Sequence, residues 1–304
     1  MEQFKIGDAS SYDSVAASFA HFTNLVTRPL SETMVRMAEL RSENRILDIG
    51  TGSGIVALTA AKHLNGPGSV TGIDLSDGLL AEARQAAVQA GLADKIRLEK
   101  ADAEALPLRD KSFDVVLSLF ALLHFPHPDK AVAEMFRVLA PGGRLVIGIG
   151  SQPPWNSVKG WTHRLSRIPD FFSLKAGKLL LAPAHLNQIV ERHLPAAAAA
   201  EETELAQDHA YRSARAVKLI RETGFQDVRT DWEGHHLVLD TALEFWDLQS
   251  TFSSLARKRL RTAAPAQLDL VHKDFERQCA DVIGRGGKLV YHYAASYISG
   301  RRPR

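Results

Sequence analysis

Twelve residues, Asn44 to Ile55 (NRILDIGTGSGI), constrain this chain more than any other stretch. An apolar run of Ile46, Leu47 and Ile49 leads into Gly50, Gly52 and Gly54, and the helix-forming segment VALTAAKHL follows at once. Strand, tight turn and helix in that order open a βαβ unit of the nucleotide-binding kind. Glycine suits such a turn because a side chain would hold a ligand off the backbone and because positive φ is often required there. Asp48 places a carboxylate two residues before the first glycine.

The rest of the chain extends that unit. Two apolar stripes within 11–40, one through Tyr12, Val15, Phe19 and Phe22 and one through Met34, Met37 and Leu40 after Pro29, predict two helices ahead of the first strand. Strands are expected at 45–49, 69–75, 95–101, 113–120 and 144–150, with helical segments between most of them. One of those helices runs from about 129 to 140 and ends before Pro141-Gly142-Gly143. Helical crossovers of this kind require parallel strands, hence an α/β doubly wound sheet. Helix 211–223 and strand 225–231 resume the pattern, and 287–298 supplies a seventh strand suited to an antiparallel edge. Between them, 151–210 is too long for a connector and reads as a helical insertion rich in Pro and aromatics, with an alanine run at Ala196 to Ala200.

Composition excludes several classes. A formal charge of +2 over 304 residues gives no global attraction to nucleic acid or an anionic membrane. One cysteine, Cys279, allows neither a disulfide framework nor a Cys-cluster metal site, and no metal is expected. The first residues, MEQFKIGDAS, lack a basic and apolar leader, and no uncharged apolar run approaches the roughly 20 residues of a membrane span. The expectation is a cytoplasmic protein, a homodimer being one possible state. The basic clusters RKRLR (257–261) and RRPR (301–304) read as a solvated helix face and a frayed end.

The glycine spacing discriminates between ligands. A dinucleotide fingerprint wants a glycine at position 55, which is Ile55, and no Gly-Lys-Ser/Thr ending supports a P-loop. A pyrophosphate at the helix N-terminus would be repelled by Asp48, whereas a cationic ligand would be attracted.

ILDIGTGSG (46–54), GIDLS (72–76), KADAEALPLRDKSFDVVLSLFALLH (100–124) and RVLAPGGRLVI (137–147) together resemble the successive motifs of class I S-adenosylmethionine-dependent methyltransferases. The likeness is nearest to the ubiquinone/menaquinone-biosynthesis-type branch. YDSVAASF (12–19) is similar to that branch's leading motif, with Phe19 where Tyr is common. The resemblance covers 10–150 in motif and 211–304 in topology. It implies a Rossmann-like methyltransferase core at 1–150 and 211–304, with 151–210 as a lid or substrate insertion.

The resemblance also implies a cofactor pocket for S-adenosyl-L-methionine. Asp48 and the backbone of Gly50, Thr51 and Gly52 would receive its methionyl end, which Tyr12 or Phe19 would wall. Asp74 would accept from the ribose hydroxyls and Leu75 would pack on adenine. Asp102 and the Ala103 amide would meet the adenine edge, and the carbonyls of Ser118 and Leu119 the methionyl ammonium. S-adenosyl-L-homocysteine would be the product.

Methyl transfer by in-line displacement needs positioning more than acid or base chemistry. Where the acceptor must lose a proton, His124 is the foremost base, with His127, His163 and His185 behind it and His235-His236 read as structural. The aromatic insertion, through Trp155, Trp161 and Phe172, would face a small apolar or aromatic acceptor. Three alternatives stay open: a dinucleotide-dependent oxidoreductase, a methyltransferase for a macromolecule, and a non-catalytic binding module.

Overall fold

A computed structural model describes residues 2–194 and 209–304; the alanine run lies outside them. In chain order the elements are α1 (Glu2–Asp13), α2 (Ala16–Ala38), β1 (Arg45–Ile49), α3 (Ile55–His63), β2 (Ser69–Asp74), α4 (Asp77–Gln89), β3 (Ile96–Lys100) and β4 (Phe113–Leu119). A single 3₁₀ turn (Leu122–His124), α5 (Pro128–Val138), β5 (Leu139–Gly150), α6 (Val158–Ser166), α7 (Ile168–Lys175), β6 (Leu179–Ala182) and α8 (Ala184–His193) follow. The remainder is α9 (His209–Glu222), β7 (Gln226–Leu239), α10 (Ala242–Phe252), α11 (Ser254–Thr262), α12 (Pro265–Gly284) and β8 (Lys288–Arg301). Two compact units result: Met1–Gln152, Gln207–Glu233 and Ala294–Arg304 form the first, Pro153–Ala206 and Gly234–Tyr293 the second. The motif pattern places all of 211–304 in one core, whereas 234–293 groups by contact with the unit that begins at Pro153.

The first unit carries the expected doubly wound sheet. Its strand order is β3-β2-β1-β4-β5-β8, with β7 also pairing β8. The pairs among β1 to β5 are parallel, and β8 runs antiparallel to β5 from Arg144↔Arg301 to Gly150↔Ala295. Central strands read as continuous apolar runs because both sheet faces are covered. Leu47, Ile49, Val116 and Ile147 are fully buried, and Val132 and Met135 of α5 and Ile220 of α9 join the same core. Leu30 and Met34 of α2 are equally buried. Two buried hydroxyl pairs, Thr23–Ser53 at 2.8 Å and Ser31–Thr59 at 2.9 Å, fix α2 against the glycine loop and α3.

Several boundaries differ from the sequence reading. The N-terminal helices divide near Ser14, where Val15 N donates to Tyr12 O, and α2 runs straight through Pro29. That proline removes one helical donor, but the loss falls opposite Leu25, which is exposed, while Leu30 and Met34 beyond it gain a core. Pro141-Gly142-Gly143 lies inside β5 as an irregularity between Leu139 and Arg144, with Gly142 at φ +77°. The RRPR end is a cap, not a fray: Arg302 Nη1 donates to Phe136 O (2.8 Å), Arg137 O (3.0 Å) and Leu139 O (2.5 Å), the carbonyls that close α5. Those orphan carbonyls attract a cation at a helix C-terminus.

The second unit is built from α8, α10, α11 and α12 around Leu186, Ile189, Phe245, Leu248 and Phe275. It is not purely helical: β6 pairs in parallel with the first half of β8, from Leu179↔Lys288 to Ala182↔Tyr291. Arg257, from the cluster read as a solvated face, is 5% exposed and donates to Thr251 O at 2.7 Å. Among the described residues no helix is long and apolar enough to cross a membrane.

Tyr297, fully buried on β8, donates its hydroxyl to Leu30 O on α2 at 2.9 Å, so it joins the last strand to the helix over the sheet. Tyr297→Phe is expected to cost about 1–2 kcal/mol in urea unfolding with the m-value unchanged. An unaltered midpoint would mean that the bond contributes nothing.

Candidate functional site

The glycine loop after β1 is held from two sides. Thr51 N donates to Ile73 O, and Gly52 N donates to Asp74 Oδ2, both at 2.9 Å, so the loop rests on the end of β2. Gly50 and Gly52 adopt φ of +69° and +54°, where an L side chain is strained. A Cβ at Gly50 would also overlap Ala121 Cβ. The first glycine therefore serves the approach of the β4 turn as much as that of a ligand.

Three acids gather at the carboxyl ends of β1, β2 and β3, where open α/β sheets bind ligands. Asp48 is fully buried beneath the loop; its Oδ2 accepts from Thr51 Oγ1 at 2.6 Å, and its Oδ1 has no hydrogen-bond partner. Burial pushes its pKa up to about 7, against the opposing pull of the Thr51 hydrogen bond. Asp74 is also raised by burial, tempered by the amides of Ser76 and Gly52. Asp102 accepts from Glu104 N at 2.9 Å and from Lys5 Nζ at 2.6 Å.

Lys5 went unnoticed in the sequence. Its ammonium is shared between Asp102 and Glu104 (2.6 and 2.7 Å), and Glu104 Oε1 in turn accepts from His127 N at 2.8 Å. Asp13, at the other end of α1, accepts from Ser76 Oγ (2.6 Å) and Gly78 N (2.9 Å) at the start of α4. The polar first turn of α1 carries no apolar stripe, so only the tertiary pairing identifies these side chains.

An aromatic wall completes this edge. The Tyr12 ring lies 5.4 Å from Phe19 and 6.0 Å from His124, edge-on to both, and a Cβ at Gly52 would stand 3.4 Å from the Phe19 ring. At the end of β4, Ser118 Oγ is buried without a hydrogen-bond partner, and Leu119 is 7% exposed. Phe120 follows at φ +63°, donating its amide to Gly148 O at 2.7 Å. A bulky side chain in that region signals strain, which gathers at functional sites.

The structure thus brings Tyr12, Phe19, Gly52, Asp74 and His124 together in the first unit, with Asp48, Ser118 and Leu119 at adjoining strand ends. Leu75 is half-buried and Ala103 buried beside Asp102. The inventory is acceptors and aromatic faces, with two orphaned buried oxygens. It fits a ligand that carries hydrogen-bond donors and positive charge, as an adenosyl sulfonium does. Among the described residues no group of His, Cys, Asp or Glu is arranged to hold a metal ion.

Other candidates belong to the second unit. Trp155, Trp161 and Phe172 are 66%, 50% and 64% exposed. His185 is a core ring, 4.9 Å from Phe275 and 5.7 Å from Phe245, with its pKa pushed down to about 4 by burial. His163 is also lowered by burial and then by Arg167. Burial pushes the Cys279 thiol up to about 12, so it is no nucleophile at neutral pH.

Asp48 yields a sign-specific prediction. Its folded pKa near 7 lies above the ~3.9 of an unfolded aspartate, so the folded state holds the proton more tightly between those values. Stability should therefore fall as pH rises from about 4 to about 7, by up to ~4 kcal/mol from this group. Asp48→Asn should flatten that slope in urea titrations, whereas parallel slopes would show that Asp48 is ionised throughout.

Comparison with known proteins agrees with this geometry. Residues 47–147 match a family model described as a methyltransferase domain. The demethylmenaquinone methyltransferase of Lactiplantibacillus plantarum is 31% identical over 166 residues, covering 53% of this chain and 70% of that protein. The ubiquinone/menaquinone biosynthesis C-methyltransferase UbiE of Pseudomonas putida strain GB-1 is 34% identical over 181 residues, covering 57% and 68%. Among solved structures, the YcgJ protein of Bacillus subtilis superposes with a TM-score of 0.51 at 19% identity, over 90% of this chain and 98% of that one. The cyclase SpnF does so with a TM-score of 0.52 at 21% identity, over 91% and 81%. A cyclase on this fold is a reminder that fold alone does not assign chemistry; the sequence relatives and the ordered motifs do. On those grounds the chain belongs to the class I S-adenosylmethionine-dependent methyltransferases, in the ubiquinone/menaquinone-biosynthesis-type branch.

Proposed function

We propose that this methyltransferase binds S-adenosyl-L-methionine along the strand ends of its first unit and methylates a small apolar or aromatic acceptor. The observation that carries the reading is the carboxylate of Asp74 holding the amide of Gly52, with Tyr12, Phe19 and His124 around the same loop. Asp74 keeps further lone pairs for ribose hydroxyls. Asp102 and the Ala103 amide would take the adenine edge, and Leu75 its face. Gly50, Thr51, the carbonyls of Ser118 and Leu119, and the field of Asp48 would receive the methionyl end.

When bound, the cofactor supplies an electrophilic methyl group whose sulfur keeps the bonding electrons as the acceptor's lone pair attacks in line. The chain's own contribution is position and exclusion of water, effects that reach about 7–11 kcal/mol for well-oriented reactants. Asp48, at the methionyl end, favours the cation over the neutral sulfur of the product, while Asp74 and Asp102 hold the nucleoside that both share. His124, beside Tyr12, is the base we assign for acceptors that must lose a proton.

The acceptor class rests on the relatives, whose names place them in quinone biosynthesis. Quinone-like, polyketide-like and lipid-like molecules share the apolar character proposed here, and Trp155, Trp161 and Phe172 are the proposed acceptor contacts. A cytoplasmic setting and a homodimer belong to the same proposal.

Calorimetric titration with S-adenosylmethionine, S-adenosylhomocysteine, NAD and NADP tests the cofactor. Asp74→Ala should weaken S-adenosylmethionine about 10–100-fold, as expected for a hydrogen-bonded charged partner. A cation near Asp48 favours its ionised form, so binding should release protons at pH 6–7, and more for S-adenosylmethionine than for S-adenosylhomocysteine. Tight binding of a dinucleotide alone would overturn the reading.

A further inference from the structure

The second unit leaves an unusual surface uncovered. Of the fourteen exposed large apolar side chains among the described residues, eight fall within 155–174. On α6 they recur as Val158, Trp161 and Leu165, and on α7 as Ile168, Phe171 and Phe172, spacings that put each set along one helix face. Helix α7 buries none of its residues, and α6 buries only Gly160. A helix pair this apolar and this exposed is far from what a soluble surface ordinarily carries. The three rings proposed for the acceptor account for only part of it.

The same segment is basic. Between 155 and 178 lie Lys159, Arg164, Arg167, Lys175 and Lys178 against the single acid Asp170, a local charge of +4 in a chain of +2. The charges are interleaved with the rings. The Arg164 guanidinium lies 3.5 Å over the Trp155 ring, and the Lys175 ammonium 4.7 Å over Phe171.

The face is also locally braced. Trp161 Nε1 donates to Trp155 O at 2.9 Å, with the two indoles edge-on at 5.4 Å. A Cβ at Gly160 would collide with Pro154 O, so the approach to α6 is folded tightly onto the helix. The indole N–H of Trp161 is thus satisfied inside the segment, and its ring is free to enter an apolar phase.

We propose that α6 and α7 dock the enzyme on an anionic lipid bilayer, with the Trp and Phe rings at the headgroup–acyl boundary and the Lys heads on acidic lipid, while Arg164 and Arg167 stay bound to Trp155 and Asp170. Amphipathic helices of this composition lie in the interface plane. Aromatic rings settle at headgroup level, and long basic side chains extend from an apolar stem to charge. An acidic protein partner would satisfy the charges but not so wide a run of apolar side chains. Because Trp155, Trp161 and Phe172 are also the proposed acceptor contacts, the proposal rests on that reading for these rings and puts acceptor capture at the membrane surface, while the vesicle assay reads docking apart from methyl transfer.

The full chain is mixed with extruded vesicles of phosphatidylcholine alone or of equal phosphatidylcholine and phosphatidylglycerol, and binding is read by co-sedimentation. Quenching of tryptophan fluorescence by brominated acyl chains reports depth. Binding to the anionic vesicles, weakened by salt and accompanied by quenching, is the expected result. Lys159→Gln/Lys175→Gln/Lys178→Gln should weaken it about 100-fold, at roughly fivefold per basic residue. Phe171→Ser/Leu174→Ser should abolish quenching while leaving S-adenosylmethionine affinity unchanged, which separates loss of docking from loss of fold. Failure to bind anionic vesicles, or equal binding to neutral ones, overturns the proposal. So does sedimentation of the wild type as a dimer that Phe171→Ser/Leu174→Ser converts to a monomer, since a second copy would then cover the face.

Discussion

The bond from Gly52 N to the Asp74 carboxylate is the constraint on which the first unit's site turns. It joins the loop after β1 to the end of β2, and Ser76, whose amide takes the other Asp74 oxygen, caps α4. Two helices and two strands are therefore referenced to one carboxylate. The partners are backbone amides, so the bond itself asks nothing of the side chains at those positions, although the positive φ of Gly52 does. Specificity in the sequence falls instead on the glycines, which let the backbone turn, and on the acid, which receives it. Electrostatics follow from the same arrangement. Carboxylates gathered at the ends of β1 and β2 favour a positive ligand, with His124 close enough to Asp74 to oppose the effect of its burial.

The sheet was legible because its signal is local. Apolar runs such as ILDI and FDVVLSL are long enough to be buried strands, and Gly-rich or Pro-rich turns punctuate them. The three acids were legible for the same reason, since each sits at a strand end. Lys5 and Asp13 were not, because their roles come from pairing with Asp102 and Ser76, 97 and 63 residues away. Arg302 looked like part of a charged tail until the carbonyls of α5 gave it partners. β6, only four residues long, carries no alternation to separate it from the helices beside it.

The division into units was the least legible feature. Nothing in the composition of 234–293 marks it off from the strand before it, and β7 and β8 each pass from one unit to the other without a break in strand pattern. Local periodicity reports which element a residue joins. It does not report which core that element completes, a matter of contacts between distant segments.

That division has a consequence for the last strand. Each unit is assembled from separated segments, and β8 contributes its first half to one and its last to the other. Ile298 of its last half belongs to the first unit's core, and its first half is the partner of β6 in the second. The aromatic run of α6 and α7 lies far ahead in the chain of the strand that pairs with β6 of its own unit. One strand therefore answers for two cores, and a change that dislodges β8 is felt in both units at once.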